Sequence, residues 1–177
     1  MSRHPGHARM ACYSSVSTLQ LHGTPLLESA RLPRPVHLVL DAPWGFAKLS
    51  RPALLVTECP SPHYLRDLLA LVPEGILATS ARPEDVLEGL LEVAGGRRFH
   101  KLPPLGPEVL TVREREVLRR IALGLGDEAI ARALGVSRRT VYNWVASLGE
   151  KLGLENRAQV ALYYFGMLPY CQQWRGR

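Results

Sequence analysis

The sequence predicts two domains. The first is an α/β domain built on a short parallel sheet. The second is an all-α domain of four helices with a helix-turn-helix at its centre. Three observations predict this. The apolar runs Val36–Leu40, Ala53–Val56 and Gly75–Ala78 are short and continuous, as strands buried on both faces of a parallel sheet should be. Helix-period segments alternate with those runs, which is the pattern of a layered α/β fold. From Thr111 to Leu168 four amphipathic segments follow one another, punctuated by helix caps and glycines.

In chain order, residues 1–10 are polar and rich in His and Arg and read as a disordered tail. His4 and His7 alone do not make a metal site. Val16 to Leu21 fits a strand. Thr24-Pro25 opens a short helix through Leu32, with proline at its favoured first position. The run 36–40 ends at Asp41, the run 53–56 at Thr57 and the run 75–78 at Thr79. Ser61 caps a helix expected over 62–72. A second helix is expected over 83–94, closed by Gly95-Gly96. Only residues 42–52 join the first two runs, fewer than a parallel crossover usually needs, so the helix expected there is reduced or lost, and Trp44 and Phe46 cover the gap. Residues 97–110, with Pro103-Pro104 and Gly106-Pro107, read as a linker.

Thr111-Val112-Arg113-Glu114 has capping-box spacing. Val117, Leu118, Ile121 and Ala122 follow at helical period, and Gly124 is the expected stop. The next helix is expected over 127–134, with Gly135 supplying the turn. Ser137 caps a third helix whose apolar face is Val141, Val145, Leu148 and Leu152, with Trp144 at its flank. Its other face carries Arg139, Tyr142, Asn143, Ala146 and Glu150. Asn156 opens a fourth helix, expected to run through Val160 and Tyr164 to Leu168, where Pro169 ends it. The domain boundaries are therefore expected at 11–96, 97–110 and 111–168, with 169–177 a tail.

A helix-turn-helix presents the start of its second helix to the major groove of double-stranded DNA. The spacing resembles the LuxR-type (NarL/FixJ) helix-turn-helix of bacterial transcription regulators. The matching residues are Leu110-Thr111, Arg113-Glu114, Glu116-Val117-Leu118, Ala122, Gly124-Leu125, Ile130-Ala131, Leu134 to Ser137, Thr140-Val141, Lys151 to Leu154 and Arg157. The resemblance implies DNA-binding positions at Arg138, Arg139, Thr140, Tyr142, Asn143, Ala146, Lys151 and Arg157. Four of these are cations able to meet phosphate. Asn143 is the candidate base reader, since its amide can pair bidentately with adenine.

Departures from the family pattern bear on affinity. Tyr142 and Ala146 stand where basic residues are usual. Gly126-Asp127-Glu128 stands where a Ser or Thr cap and a base are usual. The two acids suit the positive end of a helix, but are expected to repel the DNA backbone.

Residues 36–96 are similar to the second half of a response-regulator receiver, the usual partner of this helix-turn-helix. In that likeness Asp41 falls at the phospho-acceptor and Thr57 at the hydroxyl position. The acidic pair that would hold Mg²⁺ is missing, since Glu28 is the one acid before Asp41, and Thr79 replaces the phosphate-pairing lysine. Phosphoryl transfer to an aspartate needs charge compensation, so Asp41 is not expected to be a phosphosite. The domain reads as a flavodoxin-like, truncated pseudo-receiver. Its surfaces then serve partners, chiefly through the helices at 62–72 and 83–94.

Net charge is +6. Residues 106–177 carry 11 basic and 7 acidic residues, and residues 1–105 carry 11 and 9. The basic excess thus leans toward the helix-turn-helix half, as nucleic-acid binding requires. Cys12, Cys59 and Cys171 lack metal-ligand spacing and fit a reducing cytoplasm. No signal peptide or membrane span is expected. No nucleophile–base pair, Gly-rich phosphate loop or metal cluster is visible, so neither an enzyme nor a cofactor is expected. A homodimer on DNA is the leading expectation. The alternative is an interaction module that keeps this fold and binds another regulator or RNA polymerase. Similarity to sigma-factor region four ranks below both, because upstream sigma regions are missing.

Overall fold

The computed structural model describes residues 32–40, 50–78 and 82–168. The chain divides into two compact units. The first holds β1 (His37–Leu40), β2 (Ala53–Thr57), α1 (Pro62–Ala70), β3 (Gly75–Ala78), α2 (Pro83–Ala94) and β4 (Phe99–Lys101), except that Ser61–Tyr64, at the start of α1, groups with the second unit. The sheet order is β1-β2-β3-β4 and every pairing is parallel. All residues of β2 and β3 are buried, as continuous apolar runs at the centre of a sheet should be. Leu54, Val56, Leu77, Val86, Leu90 and Val93 form the core between the sheet and α2.

Three sequence expectations are corrected here. The stretch 97–110 is not wholly a linker, because Phe99–Lys101 is a sheet strand. This segment reads as polar because it lies at the sheet edge: Phe99 is half-buried while His100 and Lys101 are exposed. Two features hold it. Lys101 Nζ lies 2.8 Å from Asp85 Oδ1 in the first turn of α2. A Cβ at Gly89 would stand 2.9 Å from Phe99 Cδ1, so glycine lets α2 rest on the strand.

The second correction is α1, which ends at Ala70 rather than 72. Val72 has φ 52°, a left-handed conformation that ends the helix just before Pro73. The third is the last helix, treated below. The strand at 16–21, the helix at 24–32, Asp41, Trp44, Phe46, Thr79 and the terminal tails lie outside the described residues, apart from Leu32, which is buried and not helical.

The second unit holds α3 (Val112–Ala122), α4 (Asp127–Leu134), α5 (Arg138–Leu152) and α6 (Arg157–Tyr164). Val117, Leu118, Ile130, Val141, Leu148, Val160 and Tyr164 are buried. These are the positions that the 3.6-residue period places on the inner faces. Gly135, φ 65°, makes the left-handed turn between α4 and α5. α6 ends at Tyr164, four residues before the expected Leu168. Gly166 takes φ 68°, and the Met167 N–H reaches back to the Leu162 carbonyl. That pair of features is the glycine stop of a Schellman end. The apolar period runs past the stop, which is why it misled.

Candidate nucleic-acid interface

The interface is built from the first turns of α5. Ser137 Oγ accepts from the Thr140 backbone N–H at 3.1 Å and lies 2.9 Å from Thr140 Oγ1. This fixes the helix start and gives Thr140, half-buried, a role in the cap itself. Arg138, Arg139, Tyr142, Asn143, Ala146 and Glu150 are exposed, whereas Val141 and Leu148 are fully buried. The inward pair anchors the helix, so the outward residues form one presented face. Arg138 and Arg139 have no hydrogen-bonded or ion-paired side-chain partner among the described residues. They stand at the positive end of the helix dipole, where both contributions favour an anion. Asp127, Arg138, Arg139 and Tyr142 line a shallow concavity at this end.

The structure does not bring the eight expected residues into one set. Lys151 and Arg157 are committed inward. Lys151 Nζ lies 2.7 Å from Glu114 Oε2. Arg157 donates to Asp127 Oδ1 and to the Leu125 carbonyl. The Asp127 charge expected to repel DNA is therefore met by a guanidinium. Glu128 is exposed and keeps its charge at the surface.

Sequence reasoning missed the node that holds this face in place. Glu114 is 3 % exposed. Its carboxylate accepts from the Thr111 backbone N–H and hydroxyl on its own helix start. It also accepts from Ser147 Oγ at 2.6 Å and from Lys151 on α5. Burial alone would raise the Glu114 pKa. The hydrogen bonds from Lys151, Ser147 and Thr111 outweigh it and pull the value from 4.5 down to about 2. The capping-box spacing identified Glu114, but nothing in the sequence showed that its second oxygen reaches α5. Gly149 is also a necessity, since a Cβ there would stand 2.8 Å from the Leu154 carbonyl oxygen.

Residues 108–164 match the family described as bacterial regulatory proteins, luxR family (GerE). These residues are a luxR-family helix-turn-helix. The chain is 28% identical over 167 residues to the transcriptional regulatory protein UhpA of Escherichia coli (strain K12), covering 91% of this chain and 76% of that protein. It is 38% identical over 121 residues to the probable transcriptional regulatory protein SgaR of Hyphomicrobium methylovorum, covering 62% and 56%. Among solved structures, two RcsB dimers bound to two parallel DNAs match with TM-score 0.40 and 25% identity, over 74% of each chain. The luxR-family match takes in α3 to α6 entire. The UhpA similarity is long enough to include residues of both units. No helix among the described residues is long and apolar enough to cross a membrane.

Proposed function

We propose that this protein is a transcription regulator that binds double-stranded DNA through α5, with the start of that helix in the major groove. One observation carries the reading: a capped helix presents, at its positive end, two arginines with no side-chain partner among the described residues, and a continuous exposed face behind them. Arg138 and Arg139 meet backbone phosphates. Asn143, one turn deeper, pairs with adenine through its amide. Lys151 and Arg157 hold α5 and α4 in place and contribute to phosphate binding only through residual charge.

The first unit acts without phosphorylation, as a pseudo-receiver for dimerisation or for another signal, and the site of action is the cytoplasm. The similarity to named transcriptional regulatory proteins supports the regulatory part of this reading and favours a binding protein over an enzyme. Two modules on one two-fold axis bind a palindromic site as a homodimer.

A second reading draws on the inward commitment of Lys151 and Arg157 and on exposed Glu128 and Glu150. In it the domain keeps the fold and binds another regulator or RNA polymerase. Selection of bound sequences from a random duplex pool at low salt separates the two. A recovered consensus whose preference at one adenine is lost in Asn143→Ala supports DNA reading. No retained duplex, with Arg138 and Arg139 intact, favours the second reading.

A further inference from the structure

We infer that Tyr142 reads the methyl groups of thymines in the major groove, with Ala146 giving it the clearance to do so. The inference rests on the DNA reading above and adds the class of base that this face selects. Tyr142 is 66 % exposed, while most large apolar side chains of α5 are buried or half-buried. An aromatic ring in water on a capped helix contributes little to the fold, so its packing surface is available to a ligand. The ring follows one turn behind Arg138 and Arg139, the depth at which a recognition helix meets base edges once its first turn is seated on phosphates.

The chemistry of the neighbouring positions narrows the partner. Beyond Arg139 the exposed face runs Tyr142, Asn143, Ala146, Glu150 and holds no cation. Bidentate arginine or lysine pairing with guanine is therefore not offered by the centre of the face. What it offers is an aromatic edge, an amide and a methyl group. The thymine C5-methyl is the apolar group that the major groove displays, and apolar side chains recognise it by contact. Ala146 lies one helical turn after Tyr142. Its short side chain lets the groove wall approach, where a longer residue would hold the ring away. Asn143 beside the ring suits the adenine of the same or the next A·T pair. The face thus selects A·T pairs by an amide on one strand and a methyl on the other.

The test uses the full chain and a duplex recovered by selection. Each thymine is replaced in turn by deoxyuridine, which removes the methyl and leaves every hydrogen-bonding group. Loss of one buried methyl should weaken binding about fourfold at one or two positions. 5-Methylcytosine restores the methyl at the same place in a C·G pair and should recover part of the loss relative to cytosine. In Tyr142→Ala the thymine and deoxyuridine duplexes should bind equally. In Asn143→Ala the fourfold difference should persist. Unchanged helical circular dichroism would show that the exposed-site variants fold. Tight binding without methyl dependence at any position overturns the inference alone, as does a dependence that survives in Tyr142→Ala. Failure to bind any duplex at low salt overturns the DNA reading, and this inference with it.

Discussion

The ammonium of Lys151 lies 2.7 Å from Oε2 of Glu114, and this pair joins α5 to the capped start of α3. A residue that the family resemblance assigns to DNA phosphate is spent on holding α5 at its angle. Glu114 is buried and Lys151 is about a third exposed, with side chains 5% and 36% accessible. Without Lys151 the carboxylate still accepts from Ser147 and from the Thr111 N–H and hydroxyl, whereas without Glu114 all of these donors lose their shared acceptor. The asymmetry sets what each substitution does. Glu114→Ala should cost about 2–3 kcal/mol by removing the acceptor of several charge-assisted hydrogen bonds. Lys151→Ala should cost less. Urea unfolding of both variants measures the difference, and equal losses would mean that Lys151, not the carboxylate, is the node.

The same carboxylate makes stability depend on pH in a defined direction. Its folded pKa, about 2, lies below the ordinary value of 4.5, so the unfolded chain binds the proton more readily. The stabilisation is fully present above about pH 4.5 and is lost as pH falls from there through about 2. The size is about 3 kcal/mol across that window. Urea midpoints between pH 6 and pH 2 should fall in the wild type and fall less in Glu114→Gln. Parallel curves for the two proteins would remove Glu114 from the acid sensitivity.

The exposed and the committed cations should separate in salt titrations of DNA binding. Arg138→Ala and Arg139→Ala should each lower the slope of log affinity against log salt by about 0.9, one phosphate contact's share. Lys151→Ala and Arg157→Ala should change the slope less and lower the thermal midpoint instead. Arg157→Ala also leaves Asp127 unpaired beside the turn, so it should weaken binding more at low salt than its own charge explains. Four equal slope changes would place Lys151 and Arg157 on phosphate after all.

Much of this was legible in the residues. Asp127–Leu134 and Pro83–Ala94 follow the sequence-read bounds because a glycine or proline stands at each end and the apolar period is unbroken between. β2 and β3 were legible because burial on both faces leaves a continuous apolar run, and β1, at the other edge, because its run is nearly as apolar. β4 was not, because an edge strand with one half-buried residue has no such run. Phe99 is fixed by Gly89 on α2, ten residues earlier, and by the Lys101–Asp85 pair. The exposed face of α5 was legible from period and cap. The inward turn of Lys151 and Arg157 was not. Their acceptors, Glu114 and Asp127, lie 37 and 30 residues away in sequence, and spacing alone cannot choose between an acid in the protein and a phosphate outside it. By apolar period alone the last helix offers Val160, Tyr164 and Met167 as a dimer surface, but Val160 and Tyr164 are 2 % and 0 % exposed, so of these three only Met167, at 47 %, stands open.

Val72 carries a testable strain. It is β-branched, has φ 52° and is half exposed, at 51 %. A left-handed conformation costs such a residue about 1–2 kcal/mol, which glycine avoids at some entropic cost. Val72→Gly should leave stability unchanged or raise it by up to about 1 kcal/mol, against the usual rule that glycine destabilises. A loss above about 1 kcal/mol in urea unfolding would mean that the Val72 side chain packs more than its exposure implies.

The first unit should not respond to a phosphodonor. β1 ends at Leu40, whose register partner is Val56 on β2, and Thr57 at the end of β2 is buried, with its hydroxyl accepting from the Cys59 N–H at 3.1 Å. A hydroxyl already engaged with its own turn is poorly placed to follow a phosphoryl group. Asp41 directly follows β1, but the sequence supplies neither the acidic pair that would hold Mg²⁺ nor a lysine at Thr79, and transfer to an aspartate needs that charge compensation. Incubation with acetyl phosphate and Mg²⁺ should leave the intact mass unchanged, and the sedimentation profile with it. A mass increase of one phosphoryl group that disappears in Asp41→Asn would restore a phosphorylation switch to this domain. A mass increase that persists in Asp41→Asn would point to a different acceptor and leave the reading of Asp41 standing.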